Sequence, residues 1–339
     1  MDLFVPGVVF LDIIFTGLPK LPGPGEEAWA PGMGSSPGGI ANLAVAASRL
    51  GIRTGLGTAF STDAYGEFCH RILSRQEGID LSASRRVPGW HSPVTVSVAN
   101  GRDRSMITHG HPAPVNADGL VGELPAARAA FLSVTPQRQP WVRRARDAGT
   151  LVFGGVGWDA SAAWPVDTLD VLDDCHAFLP NAVEAMHYTR TSTPQAALRR
   201  LAERVPLAVV TCGADGAIAI DSGRGELVGA PPVPVDALDP TGAGDVFAAG
   251  FVAATLWDLP LPQRLAFANL VAALSVRHFG GSLSAPGWGD IADWWSATRL
   301  RGDRERVAAY GFLDDVIPRG EIRFARRATA TIDRLPEAA

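Results

Sequence analysis

Long apolar runs alternate with amphipathic stretches along most of the chain. "RTGLGTAF", "AAFLSV", "TLVFGGV", "AFLPN" and "LAVVTCG" read as the continuous Val, Leu, Phe and Ile of strands buried on both faces. Between them, segments such as "GGIANLAVAASRLG" and "AYGEFCHRILSRQEG" repeat at helical spacing. This alternation predicts a mostly parallel sheet with helices on both faces, whose ligands gather at the carboxyl ends of the strands. The opening run "MDLFVPGVVFLDIIFTG" is predicted as one buried first strand; Asp2 and Asp12 interrupt it and no basic segment precedes it, which argues against a secretory leader.

Two stretches break the pattern. Residues Gly17 to Pro37 are rich in Gly and Pro, and Ser92 to Gly110 alternates like an antiparallel hairpin turning at Asn100-Gly101. They are read either as a lid over the strand ends, taken from about 13–37 and 92–110, or as two surface loops. No repeat or low-complexity linker divides the chain, so residues 1–290 are expected to form one domain. The more charged, Arg-rich remainder, 291–339, is expected to be a helical extension that packs on it or frays.

Composition narrows the function. Of 339 residues, 47% are apolar and 19% charged, which describes a globular protein with ample core. The net charge of -5 gives no reason to expect nucleic acid or an anionic membrane as partner, so a small molecule is expected. No run has the uninterrupted apolar length of a membrane helix. Cys69, Cys175 and Cys212 are scattered and unpaired in spacing, which fits reduced thiols in the cytoplasm rather than disulfides or zinc. Lys20 is the only lysine; it lies in "GLPKLPGPG", so neither a Walker A loop nor a protein-kinase strand lysine is present. A nucleotide would have to be held by backbone amides, metal and arginine.

The candidate chemistry centres on "DPTGAGDVFAAGF". Gly242, Ala243 and Gly244 form a small-residue turn that opens an apolar helix, where unpaired N–H groups and the helix dipole favour an anion. Asp245 behind them either caps the helix or acts as a base beside a phosphate. Gly38-Gly39 let a ligand approach the main chain and Asn42 can bond a sugar hydroxyl, although close helix packing explains them equally. Asp12 needs a partner, a polyol hydroxyl pair or an arginine such as Arg53. Asn181 and Glu184 either order metal-bound water or form a helix capping box. Thr211 and Gly213 end another strand in a glycine turn that suits a nucleotide. His109 and His111 lack a third ligand and are expected to end the lid strand rather than bind metal.

The order of these segments resembles that of the ribokinase-like (PfkB) carbohydrate kinases. "GGIANLAVAASRLG" is similar to the N-terminal signature and "DPTGAGDVFAAGF" to the C-terminal one. "PNAVEA", "VVTCGADGA" and "FANLVAALSVRHFGGSLSAP" follow in the family's order, over roughly residues 3–287. The resemblance implies a three-layer α/β/α sandwich with a mostly parallel central sheet and a small β lid. It implies Asp245 as catalytic base with Gly242, Ala243 and Gly244 as its anion hole, and Asp12, Gly38, Gly39 and Asn42 as substrate contacts. It further implies Thr211, Gly213, Gly216 and Asn269 as nucleotide contacts, with Asn181 and Glu184 organising magnesium and phosphate. Asp239, Thr241 and Ser284 match positions near the monovalent-cation site of many members, which adds K+ to ATP and Mg2+. A homodimer through the lid is also implied.

The chain departs from ribokinases in having Ile40 where their glycine signature carries lysine, which weakens ribose as acceptor. Trp158 stands near a strand end as an aromatic candidate. The resulting expectation is an ATP-dependent kinase acting on a hydroxymethyl group of a sugar or sugar-like alcohol. Trp29, Met33 and Trp90 keep a nucleoside kinase open as an alternative, and a non-catalytic sugar-binding protein of the same fold is a third.

Overall fold

The computed structural model describes residues 1–100, 103–113, 115, 117–121, 124–157, 163–320, 322 and 324–328. An eight-stranded sheet runs through the centre. Its strands are β1 (Leu3–Pro6), β4 (Thr54–Gly57), β9 (Ala129–Ser133), β10 (Leu151–Gly155), β11 (Ala177–Phe178), β12 (Leu207–Thr211), β13 (Ala217–Asp221) and β14 (Glu226–Ala230), in the order β14-β13-β12-β11-β10-β9-β1-β4. Pairing is parallel from β4 to β12; at the other edge β13 is reversed and pairs antiparallel with both β12 and β14.

Period-two alternation builds a core on each face. Leu3, Val5, Ala129, Phe131, Phe153, Leu207 and Val209 point to one side, where helices Ala41–Arg49, Ala243–Leu256 and Leu261–Ser275 cover them. Phe4, Ala130, Leu132, Val152, Phe178 and Val210 point to the other, onto helices Pro140–Asp147, Ala182–Thr189 and Pro194–Ala202. The result is the three-layer sandwich that the sequence pattern and the family resemblance imply. The helix Ala243–Leu256 is buried without interruption from Val246 onward, as an apolar-all-round helix must be.

The opening run does not form one strand. It leaves β1 at Pro6 and enters β2 (Val9–Leu18), which belongs to a second, smaller sheet with β3 (Gly32–Gly39), β7 (Val94–Asn100) and β8 (Asp103–His109), in the order β3-β2-β7-β8. The change of sheet occurs at Gly7, whose φ of +154° suits glycine and whose missing side chain leaves space for Ile40. Asp12 therefore lies within the small sheet, opposite Ser36, and not at the end of a core strand. β7 and β8 pair as a hairpin with Asn100 opposite Asp103; Gly101 lies outside the described residues. A short parallel pair, β5 (Ala59–Ser61) and β6 (Arg85–Val87), completes the strands among the described residues.

Lys20 and Glu26 form an exposed ion pair in the loop joining β2 to β3, and Trp29 of the same loop is 88% exposed. Met106 and Ile107 of β8 are also exposed. Beyond the sandwich, helices Trp288–Arg301, Arg304–Tyr310 and Leu313–Val316 pack on the first core through Ile291, Trp295, Tyr310 and Leu313. Trp295 is buried and its Nε1 donates to Asp314 at 2.7 Å, so this side chain serves packing. Among the described residues, no helix is long and apolar enough to cross a membrane.

Candidate active site

The helix Ala243–Leu256 begins after Gly242, whose left-handed φ of +77° turns the chain into its first turn. Ala243 and Gly244 follow at the mouth of a cleft, and a side chain on Gly244 would meet only open space. Asp245, in the same first turn, is half-buried; its Oδ2 accepts a hydrogen bond from Asn42 Nδ2 at 2.9 Å. Residues 203 apart in sequence are thus joined at the centre of the site.

On one side of this bond lies a small polar pocket. Asp12 is 7% exposed, and a side chain on Gly38 would collide with its carboxylate, so glycine is required there by close approach. Gly39, beside it, leaves equal room for the Val8 carbonyl. A methyl group built on Gly281 would sit 3.3 Å from Asp12 Oδ2, Asn42 Oδ1 and Ser36 Oγ, which shows that these three polar groups converge on one spot. Ser36 Oγ and Asn42 Oδ1 are buried without a hydrogen-bond partner among the described residues. Orphaned buried polar atoms cost stability, and a hydroxyl-bearing ligand would satisfy them. Arg53 is not the partner of Asp12: its guanidinium bonds Asp2, with Nε at 2.9 Å from Oδ2. Sequence reasoning passed over Ser36 and Gly281. Their signal was present, since Gly280-Gly281 repeats the paired glycines of Gly38-Gly39 and Ser36 directly precedes Pro37-Gly38-Gly39.

On the other side lies a cavity of about 540 Å³ at the strand ends, lined by Thr211, Gly213, Gly216, Ala243, Gly244 and Asn269 together with apolar Val233, Phe247 and Val276. The mostly apolar wall with backbone-rich turns suits a nucleotide base and its phosphates. Asn269 Nδ2 donates to the carbonyls of Ala230 and Pro231 at 3.1 and 3.0 Å, so this side chain ties the end of β14 to the wall.

Asn181 and Glu184 form a reciprocal capping box: Asn181 Oδ1 accepts from the Glu184 N–H and Glu184 Oε2 from the Asn181 N–H, each at 2.9 Å. Asn181 also sits beside Thr211. Glu184 is buried, and burial first of all pushes its carboxyl above the ordinary 4.5, with the charge of Asp245 adding to the rise.

The folded chain binds the Glu184 proton more tightly than the unfolded chain does. The penalty for ionising this group is absent below 4.5 and sets in as the pH rises through the raised pKa. We predict that Glu184→Gln is more stable than the wild type near neutral pH and loses that advantage toward pH 4.5. Urea midpoints at the two pH values check this; equal midpoints at neutral pH would contradict it.

Asp239 is 1% exposed; its Oδ1 accepts from the Thr241 N–H (2.9 Å) and hydroxyl (2.6 Å), while its Oδ2 is buried without a partner among the described residues. Ser284 is bonded elsewhere, its hydroxyl donating to Gly281 O at 2.7 Å beside the polar pocket. His109 ends β8, and its ring meets those of His111 and His91 edge to face at 5.3 and 5.7 Å. Among the described residues, no group of three or more His, Cys, Asp and Glu could hold a metal ion. Trp158 lies outside the described residues.

The pattern for the pfkB family carbohydrate kinases matches residues 18–288. A nucleoside kinase of Methanothermobacter thermautotrophicus is 27% identical over 304 residues, covering 87% of this chain and 96% of that protein. A fructoselysine 6-kinase of Escherichia coli is 28% identical over 253 residues, 72% of this chain and 91% of the relative. The solved structure of an Arabidopsis thaliana ribokinase complexed with ribose and ATP has a TM-score of 0.71 at 23% identity, covering 86% of this chain and 97% of that one, a likeness of fold. The family match takes in Ser36, Gly38 and Gly281 of the polar pocket, the Asn42–Asp245 bond and the cleft beside them, and this chain belongs to the pfkB family of carbohydrate kinases.

Proposed function

We propose that the protein transfers the γ-phosphoryl group of ATP to a hydroxymethyl group of a sugar or sugar-like alcohol, with Asp245 as the base. The observation that carries this reading is the Asn42–Asp245 hydrogen bond, which fixes a carboxylate between a polar pocket and an apolar cleft. Asp12, Ser36, Asn42 and the backbone at Gly38, Gly39 and Gly281 bind the acceptor. Thr211, Gly213, Gly216 and Asn269 line the nucleotide side. Asp245 accepts the proton of the attacking hydroxyl, and the amides of Gly242, Ala243 and Gly244 offset charge on the phosphate.

Glu184, with Asn181, would organise Mg2+; the charge of Asp245 felt at the buried Glu184 carboxyl supports this reading, since a cation would relieve that repulsion. Bound there, Mg2+ would neutralise charge on the polyphosphate. Asp239, with its orphaned Oδ2 and its neighbour Thr241, is the feature that supports a site for K+, with Ser284 bonded apart from it. We read residues 1–290 as the kinase domain of a cytoplasmic enzyme, with the small sheet as its lid. Exposed Met33 and Ile107, which share one face of the small sheet, supply apolar surface for a homodimer through that lid.

A nucleoside acceptor is the second reading. Trp90 and Thr58 line a cavity of about 280 Å³ with Val8, Ala113, Val115 and Leu120, and Trp90 Nε1 and Thr58 Oγ1 are buried without partners among the described residues. An aromatic base with polar edges would match that lining better than a bare sugar. A coupled ADP-release assay with ribose, fructose, inosine and cytidine separates the readings. Sugar-dependent release supports the first and nucleoside-dependent release the second. Binding of a sugar without any release would overturn phosphoryl transfer.

A further inference from the structure

Past the last helix, residues 324–328 return to the acceptor side of the molecule. Ala328 is fully buried, and its carbonyl accepts from the Ser35 N–H at 3.3 Å, on the outer edge of β3. Arg327 Nη1 donates to the carbonyls of Ser284 and Ala285 at 2.9 and 3.1 Å, and its Nη2 to Asp290 Oδ1 at 2.6 Å. The carbonyl of Arg326 accepts from Arg49 Nη2 at 2.8 Å. The segment is therefore stitched to both elements that shape the polar pocket: β3, where Ser35 precedes Ser36, and the loop from Gly280 to Ser284, where Gly281 faces Asp12 and Asn42.

Two glycines admit this segment. A Cβ on Gly34 would collide with the Ala328 carbonyl, and one on Gly280 with the Ala328 methyl group. Two distant positions free of side chains at the point where one alanine enters mark a built contact rather than a tail resting on a surface. The loop it braces has φ values of +127° at Gly280 and +49° at Gly281, and such glycine-rich backbone loses much entropy when ordered. Charge-assisted bonds from one guanidinium to two carbonyls and a carboxylate can offset that cost.

We propose that Arg327 and Ala328 are positioning residues of the acceptor site, holding Gly281 against Ser36, Asp12 and Asn42 so that acceptor affinity depends on a segment beyond the residues 18–288 that match the family. The proposal rests on reading that pocket as the acceptor site. The full-length wild type, Arg327→Ala, Arg327→Lys and Ala328→Trp are compared by calorimetry for binding of ribose, fructose, inosine, cytidine and ADP. The probe that binds the wild type most tightly is expected to bind Arg327→Ala and Ala328→Trp about tenfold or more weakly, with ADP affinity within about twofold. Arg327→Lys is expected to recover part of the loss, since an ammonium keeps the charge without the planar fork.

Acceptor affinity within about twofold of wild type in the Ala and Trp variants overturns the proposal, as does equal weakening of acceptor and ADP, which reports general loosening. If Arg327→Ala fails to fold, Ala328→Trp and Arg327→Lys decide the matter. Absence of binding by every acceptor probe to the wild type removes the pocket reading and the proposal with it. Binding without ADP release from ATP overturns the kinase reading alone and leaves the effect of the segment standing.

Discussion

Asp245→Asn is expected to lower kcat by about a hundred- to ten-thousand-fold, the range over which a positioned general base contributes, while acceptor and ADP still bind. The substitution preserves shape. An asparagine oxygen at this position can still accept from Asn42 Nδ2, so the 2.9 Å link across the site survives and the pocket stays assembled. What is lost is basicity, because an amide does not take up the proton of the attacking hydroxyl. Turnover by ADP release and binding by calorimetry separate the two effects. Near-normal turnover would remove Asp245 from its role as base, and lost binding would show that the carboxylate serves assembly instead.

The largest effect on stability is expected at Glu77. Its carboxylate pairs with Arg49 in two bonds of 2.9 Å, and the side chains are only 6% and 7% exposed. Arg49 also donates to the carbonyls of Leu283 and Ala285, at 3.2 and 2.6 Å. Glu77→Ala would leave a guanidinium buried without its counter-charge, and removing one partner of such a pair costs about 3–5 kcal/mol. Replacing both residues by methionine should cost much less, because no uncompensated charge then remains. Urea unfolding of the single and double variants tests this; a single variant within about 1 kcal/mol of wild type would show that water or another group replaces the carboxylate.

The sandwich was legible because its strands are buried on both faces. Runs such as "AAFLSV" and "LAVVTCG" carry little but strand information, and the helices between them announce themselves by spacing. The first strand was misread for the same reason: β1 and β2 are equally apolar, and nothing in "VPGVVF" except Gly7 tells that the chain changes sheets there. Hydropathy reports burial and is blind to which sheet does the burying.

The site was legible where residue type restricts chemistry. Asp12, Asn42 and Asp245 stood out because polar groups within apolar runs need partners, and two of them turn out to be bonded to each other. Asn181 and Glu184 remained ambiguous because one spacing serves a capping box and a metal-ordering pair alike, and the hydrogen bonds at the helix start are those of the box. Ser36 was hidden by its smallness, since a hydroxyl beside Pro37 and two glycines reads as turn chemistry until Asp12 is seen across the sheet from it. Arg327 and Ala328 could not be found at all. Their partners are main-chain groups, the distant carboxylate of Asp290 and two missing side chains, none of which leaves a mark near residue 327.

The passage of one continuous run through both sheets makes Gly7 the fulcrum of a lever. Asp12 lies five positions farther along, about 16 Å away at roughly 3.3 Å per extended residue, so a swing of about 10° there carries its carboxylate roughly 3 Å, the length of a hydrogen bond. A rotation too small to notice in the outline of the molecule is enough to make or unmake its grip.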